Sequence, residues 1–244
     1  MTRLALPAAA VVLALVLAAA PALAQEVTLT LDGEGSLTAR TLQLLVLVTV
    51  LSLVPGLAVT ITCFPFIVTV LSILRQAIGL QQSPPNMLIV SLALFLTYFV
   101  MEPVLTAAWT AGAEPLIDGR LGLEAAWQAA LGPFRGFMEA RTDPDAVLRL
   151  AALRPVPVPA TAAEAPLSVL VPAFLLGEIE KAFQIGFLIF LPFLIIDLVV
   201  AAVLMSMGMM MVPPAIVSLP FKLAFFVVAD GWTLISEALV RGYM

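Results

Sequence analysis

The chain has 244 residues, 62% of them apolar and 11% charged, with a formal charge of −5 and a mean hydropathy of +1.13. Soluble domains carry about a quarter charged residues, so this composition excludes an ordinary water-soluble globule and points to lipid or to extensive burial against other protein. The acidic balance, with no cluster of Lys and Arg, excludes a nucleic-acid binder, which needs a basic footprint. The length leaves room for several helices and one polar insert in a single architectural unit.

Residues 1–24 read as a cleavable signal peptide. Arg3 supplies a positive start, Ala8 to Ala20 an apolar stretch, and Ala22-Leu23-Ala24 a small-x-small site, placing cleavage between Ala24 and Gln25. The alternative is an uncleaved first membrane helix. Residues 25–40 form a polar leader with Gly33 and Gly35. A first helical hairpin spans residues 41–110. Thr41 to Leu74 has no charged residue, and as one helix it would reach roughly 50 Å, too long for a simple span. A break is expected at Pro55-Gly56, with a second at Pro65. Pro84-Pro85 stops the chain again, Asn86 is a candidate cap, and Met87 to Met101 makes the second arm.

Residues 111–167 are expected to form an extracytoplasmic helical insert ending in a Pro/Ala linker, Arg154 to Pro166. Five arginines and seven acidic residues fall between Ala111 and Ala165, with Trp127, Phe134 and Phe137 spaced for one helix face. Residues 168–244 form a second hairpin, with Ser168 as a candidate cap. Its uncharged runs are short: Ala182 to Ile196, Leu198 to Phe221 (cut by Pro213-Pro214) and Leu223 to Ala229. A clean span needs about 20 residues, and a charge near mid-bilayer costs at least about 2.5 kcal/mol. The fold class expected is therefore all-α and membrane-associated, with bent hairpins assembling into a ring and polar groups paired between chains.

Two segments of this second hairpin stand out. Glu178, Lys181 and Gln184 recur at i, i+3 and i+6, making a polar stripe on an apolar cylinder. It reads either as a locally satisfied Glu178–Lys181 pair or as a face turned to neighbouring subunits or a passage. Asp197 and Lys222 are further candidates for polar contacts between subunits. Ser206 to Pro214 (SMGMMMVPP) concentrates thioether side chains in a bend. Met is unbranched and polarizable, so such bends converging in a ring would make a compressible seal; the alternative is core filler.

Catalytic patterns are sparse. There is no histidine, the single cysteine cannot make a redox pair, and no Walker loop, G-x-G-x-x-G or G-x-S-x-G occurs. Ser218 and Lys222 could form a Ser/Lys dyad, but Pro220 between them disrupts the helical face. No cofactor or metal is expected.

The segments RQAIGLQQSPPN, LALFLTYFVMEPV, PAFLLGEIEKAFQIGF, PFLIIDLVVAAVLMSMGMMMVPP and LPFKLAFFVVADGW, in this order, resemble the FliP family of flagellar type III export-gate proteins. The resemblance covers most of Phe66 to Trp232. It implies a homo-oligomeric ring, pentameric in that family, joined by FliQ and FliR, with FlhB docking on the cytoplasmic side. It implies a place in the bacterial inner membrane and flagellar basal body, largely on the extracytoplasmic face. There the ring forms the entrance of the conduit for unfolded flagellar subunits. Met209, Met210 and Met211 match the family's methionine loop, implying a gasket, and Glu178 matches an acidic position implying inter-subunit pairing. Two rivals remain: a virulence-type homologue, and a small-solute transporter or channel, for which inverted-repeat halves are expected but not found.

Overall fold

The computed structural model describes residues 61–80, 83–154 and 161–244, together with scattered helical positions between 42 and 60. The expected signal sequence, its cleavage site at Ala24–Gln25, the polar leader and part of the Pro/Ala linker lie outside the described residues. The chain divides into two units, residues 1–48 and 49–244. Of the first, Leu42, Leu44, Leu45 and Val48 are described, and all are helical and exposed. The second holds every other described residue.

Among the described residues every regular element is a helix. In order they are α1 (Phe64–Ile78), α2 (Asn86–Ala108), α3 (Glu114–Ile117), α4 (Leu123–Arg141), α5 (Pro144–Ala152), α6 (Leu167–Ser206), α7 (Pro214–Val228) and α8 (Gly231–Arg241). A π-helical turn, Trp109–Ala113, joins α2 to α3.

Among the described residues the apolar run turns at residues 61–63, beside the break expected at Pro65; of the Pro55-Gly56 pair only Gly56 is described, and it is helical. A glycine inside a helix costs only about 1 kcal/mol, which packing overrides. Pro65 itself sits just after residues 61–63, in the first turn of α1, where a missing N–H leaves no bond unmade. Asn86 and Ser168 are not caps: Pro85 and Pro166 hold those positions. Both side chains accept from arginines, Asn86 from Arg75 and Ser168 from Arg154.

Helix α1 is the centre of the fold. Phe66, Ile67, Val70, Leu71, Leu74 and Ala77 recur with the helical period and are all buried. Helices α2, α6 and α7 pack around them. Gly186 lets α6 approach closely, since a Cβ there would meet the Ile73 side chain. A second cluster joins Met138 of α4 and Val147 and Ala151 of α5 to Val169, Leu170 and Phe174 of α6. Phe134 and Phe137 pack onto the core, whereas Trp127, at 61%, stays exposed.

The second arm continues past Met101, with Pro103 inside its helix. The helical path runs from Asn86 to Ile117, 32 residues, and α6 runs unbroken for 40 residues through Glu178, Lys181 and Asp197. Both are long and apolar enough to cross a membrane, and α7 with α8, bent by 61°, passes the same test as a pair. Forty residues of helix reach about 60 Å, twice the thickness of a hydrocarbon core. The charges leave α6 continuous because side chains elsewhere in the fold meet them.

Candidate functional site

Three constellations lie along α6. At its charged turn, Glu178 is fully buried, at 0% exposure. Arg141, the last residue of α4, donates from Nε to Glu178 Oε1 at 3.1 Å and from Nη1 to the Gly242 carbonyl at 3.0 Å. The Tyr243 hydroxyl donates to Glu178 Oε2, and the Arg141 guanidinium lies 3.7 Å from the centre of the Tyr243 ring. Burial, then the Glu178 carboxylate, push the Tyr243 phenol above its ordinary range. The local Glu178–Lys181 pair exists at 3.8 Å but is the longer contact, and Lys181 Nζ donates to the Arg141 carbonyl at 2.5 Å. Gln184, exposed, donates to Glu180 at 3.2 Å. The stripe thus runs from a sealed carboxylate outwards to the surface.

The second constellation ties three helices. Asp197 of α6 accepts from Ser218 Oγ and from Lys222 Nζ, each at 2.6 Å, and Lys222 also donates to the Ala77 carbonyl at 3.1 Å. Ala77 lies in the last turn of α1, where a cation satisfies both an orphan carbonyl and the helix dipole. Asp197 thus takes the protons that a Ser/Lys dyad would use. Ser218 Oγ and Lys222 Nζ both donate to Asp197 rather than to each other. The pairing expected of Glu178, Asp197 and Lys222 across a chain boundary is found here within one chain.

The third is the methionine bend, closed by backbone alone. Met209 N–H donates to Leu204 O at 2.9 Å and Gly208 N–H to Met205 O at 3.1 Å. Gly208 has φ +74°, so this is a Schellman ending, in which the left-handed residue strongly favours glycine. Pro213 and Pro214 then start α7, Pro214 in the first turn where proline is tolerated. Met210 and Met211 are 83% and 97% exposed, so they do not fill this chain's core.

Sequence reasoning missed Arg141, Tyr243 and the Ser218 bond to Asp197. One signal pointed that way: a lone acidic residue in an apolar helix demands a cation, and Arg141 ends the insert's longest helix.

The fold and site define a class: an all-helical, membrane-associated protein whose buried ion clusters brace an exposed apolar bend. The sequence pattern of the FliP family matches residues 47–239. The chain is 52% identical over 225 residues to flagellar biosynthetic protein FliP of Caulobacter vibrioides, covering 92% of this chain and 85% of that one. It is 46% identical over 212 residues to the same-named protein of Agrobacterium fabrum, covering 86% of each. With that of Bacillus subtilis it shares 44% over 203 residues, covering 83% and 92%. This chain belongs to the FliP family.

Proposed function

We propose that this chain is a component of the flagellar protein export apparatus that builds and seals the entrance of the export conduit. Copies form a ring, pentameric as in the family it resembles, with FliQ and FliR in the same assembly and FlhB on the cytoplasmic side. The ring sits at the bacterial inner membrane within the basal body, largely towards the extracytoplasmic face, and passes unfolded flagellar subunits. It does so without chemistry of its own; Ser218 and Lys222, the dyad the sequence offers, are both committed to Asp197.

One observation carries the reading: a bend closed by its own backbone presents Met210 and Met211 to the outside. Apolar side chains held out on a stiff turn suit a contact made by other copies rather than by this chain's core. Thioethers deform at low cost, so a ring of them can shut against ions and still give way to a polypeptide. Contacts between subunits fall to the outward-facing part of the stripe, Lys181 and Gln184, whereas Glu178, Asp197 and Lys222 brace each chain from within. The relatives' names favour flagellar over virulence-type export.

Replacing Met209, Met210 and Met211 together with Ala is expected to leave assembly intact and make cells leaky to small ions. Permeability equal to wild type, in cells shown to contain the assembled complex, would refute the seal.

A further inference from the structure

We propose that Asp197, Ser218 and Lys222 are positioning residues that set where the methionine bend stands, an inference resting on the bend being the seal. Asp197 lies on α6 about 15 Å before the bend and Lys222 on α7 about 14 Å after it, at 1.5 Å of rise per residue. The two arms are tied at matching depth. Among the described residues, the hydrogen bonds joining α6 to α7 are those to Asp197 from Ser218 and Lys222, each 2.6 Å. Lys222 carries the tie onward to the Ala77 carbonyl at 3.1 Å, so its reference point is α1, the buried centre of the fold.

Between the tie and the bend the arms do not close up. They leave an apolar groove of about 550 Å³, lined by Val199, Val203, Met207, Met209, Val217 and Phe221. Dispersion attraction falls by a quarter to a half across a gap of ~0.5–1 Å, so an unfilled groove restrains the splay of the arms weakly. The tie at the base, with Phe193 packed on Phe225 and Phe226 on its far side from the bend, then sets the angle between them, and with it the place of the bend. The adjacent Pro213 and Pro214 at the start of α7 and the glycine-closed end of α6 keep the bend itself short and stiff. A small change of angle at Asp197 is therefore carried to Met210 as a displacement.

The test places a nitroxide at Met210→Cys in the full-length protein, purified in mild detergent with whatever chains accompany it. Cys63 is buried, so the unmodified chain is expected to take no label and serves as the control. Three changes are compared: Ser218→Ala, Asp197→Asn, and the pair Asp197→Leu with Lys222→Met, which leaves no charge unpaired. Each is expected to raise the ratio of mobile to immobile nitroxide about tenfold, the scale of one lost hydrogen bond to a charged group. Ser218→Thr, which keeps the hydroxyl, is expected to retain the wild-type spectrum. A second nitroxide at Trp127→Cys reports general loosening and is expected not to respond. An unchanged spectrum at position 210 in all three variants, or an equal rise at position 127, overturns the proposal. If the paired variant does not fold, Ser218→Ala alone decides, because it keeps the ion pair. Ion leakage from the triple Met→Ala variant is scored separately. No leak there overturns the seal, while the spectra still decide whether the tie positions the bend.

Discussion

Glu178 is a carboxylate with no exposure, and its partners come from the far ends of the described fold: Arg141 from α4 and Tyr243 from the segment after α8. Glu178→Ala strands the Arg141 guanidinium in a largely closed site, and losing one partner of a buried pair costs about 3 kcal/mol. The melting midpoint of the detergent-solubilised protein is expected to fall accordingly. Tyr243→Phe removes only the hydroxyl bond and keeps the ring against Phe66 and Phe137, so about 1–2 kcal/mol is expected. Tyr243→Ala is expected to cost more than either the hydroxyl or the ring contacts alone. Identical melting for Tyr243→Phe and wild type would remove the hydroxyl from the account. Glu178 was legible in the sequence as a residue in need of a cation, and helical spacing offered Lys181. The true partners lie 37 and 65 residues away in sequence, where no periodicity reaches.

Among the helices, two glycines carry sharp expectations. Gly208→Ala meets open space, yet φ +74° strains any L side chain, so about 1 kcal/mol is lost from the end of α6 and Asn is expected to be tolerated better. A Cβ at Gly231 would instead overlap the Phe226 ring, which Trp232 holds edge-on at 5.3 Å and Phe193 backs at 6.3 Å. Gly231→Ala is therefore expected to shift the elbow between α7 and α8 and to lower the melting midpoint by more than Gly208→Ala does. The reverse order would mean that the aromatic cluster yields easily. The bend between α6 and α7 was readable because Gly208 and two successive prolines bracket it. The turn at residues 61–63 was legible only through Pro65, which fits the first turn of the helix that follows it. The unbroken α6 was hidden as well, because charges look like interruptions until their partners are known.

At the scale of the molecule, large apolar side chains remain uncovered, among them Phe95 and Phe99 on α2, Phe183 and Phe187 on α6, and Val227 and Val228 on α7. Isolated in water such faces aggregate, so lipid or other protein must cover them. Helix α6 is twice as long as a bilayer core is thick, so lipid alone cannot clothe it from end to end. Purification in mild detergent followed by mass measurement is expected to yield a multi-chain particle. A stable monomer with its helices coated only by detergent would argue against the ring.

The bonds of the Schellman ending of α6 run from backbone to backbone, and the side chains of Met210 and Met211 stand clear of the core, so these two thioethers contribute almost nothing to the cohesion of their own chain. Side-chain bulk there is free to vary with little effect on folding, much as a washer can be swapped without rebuilding the pipe. On the proposed seal, a graded series of residues at these two positions is expected to tune the bore of the closed passage while the chain beneath it stays the same.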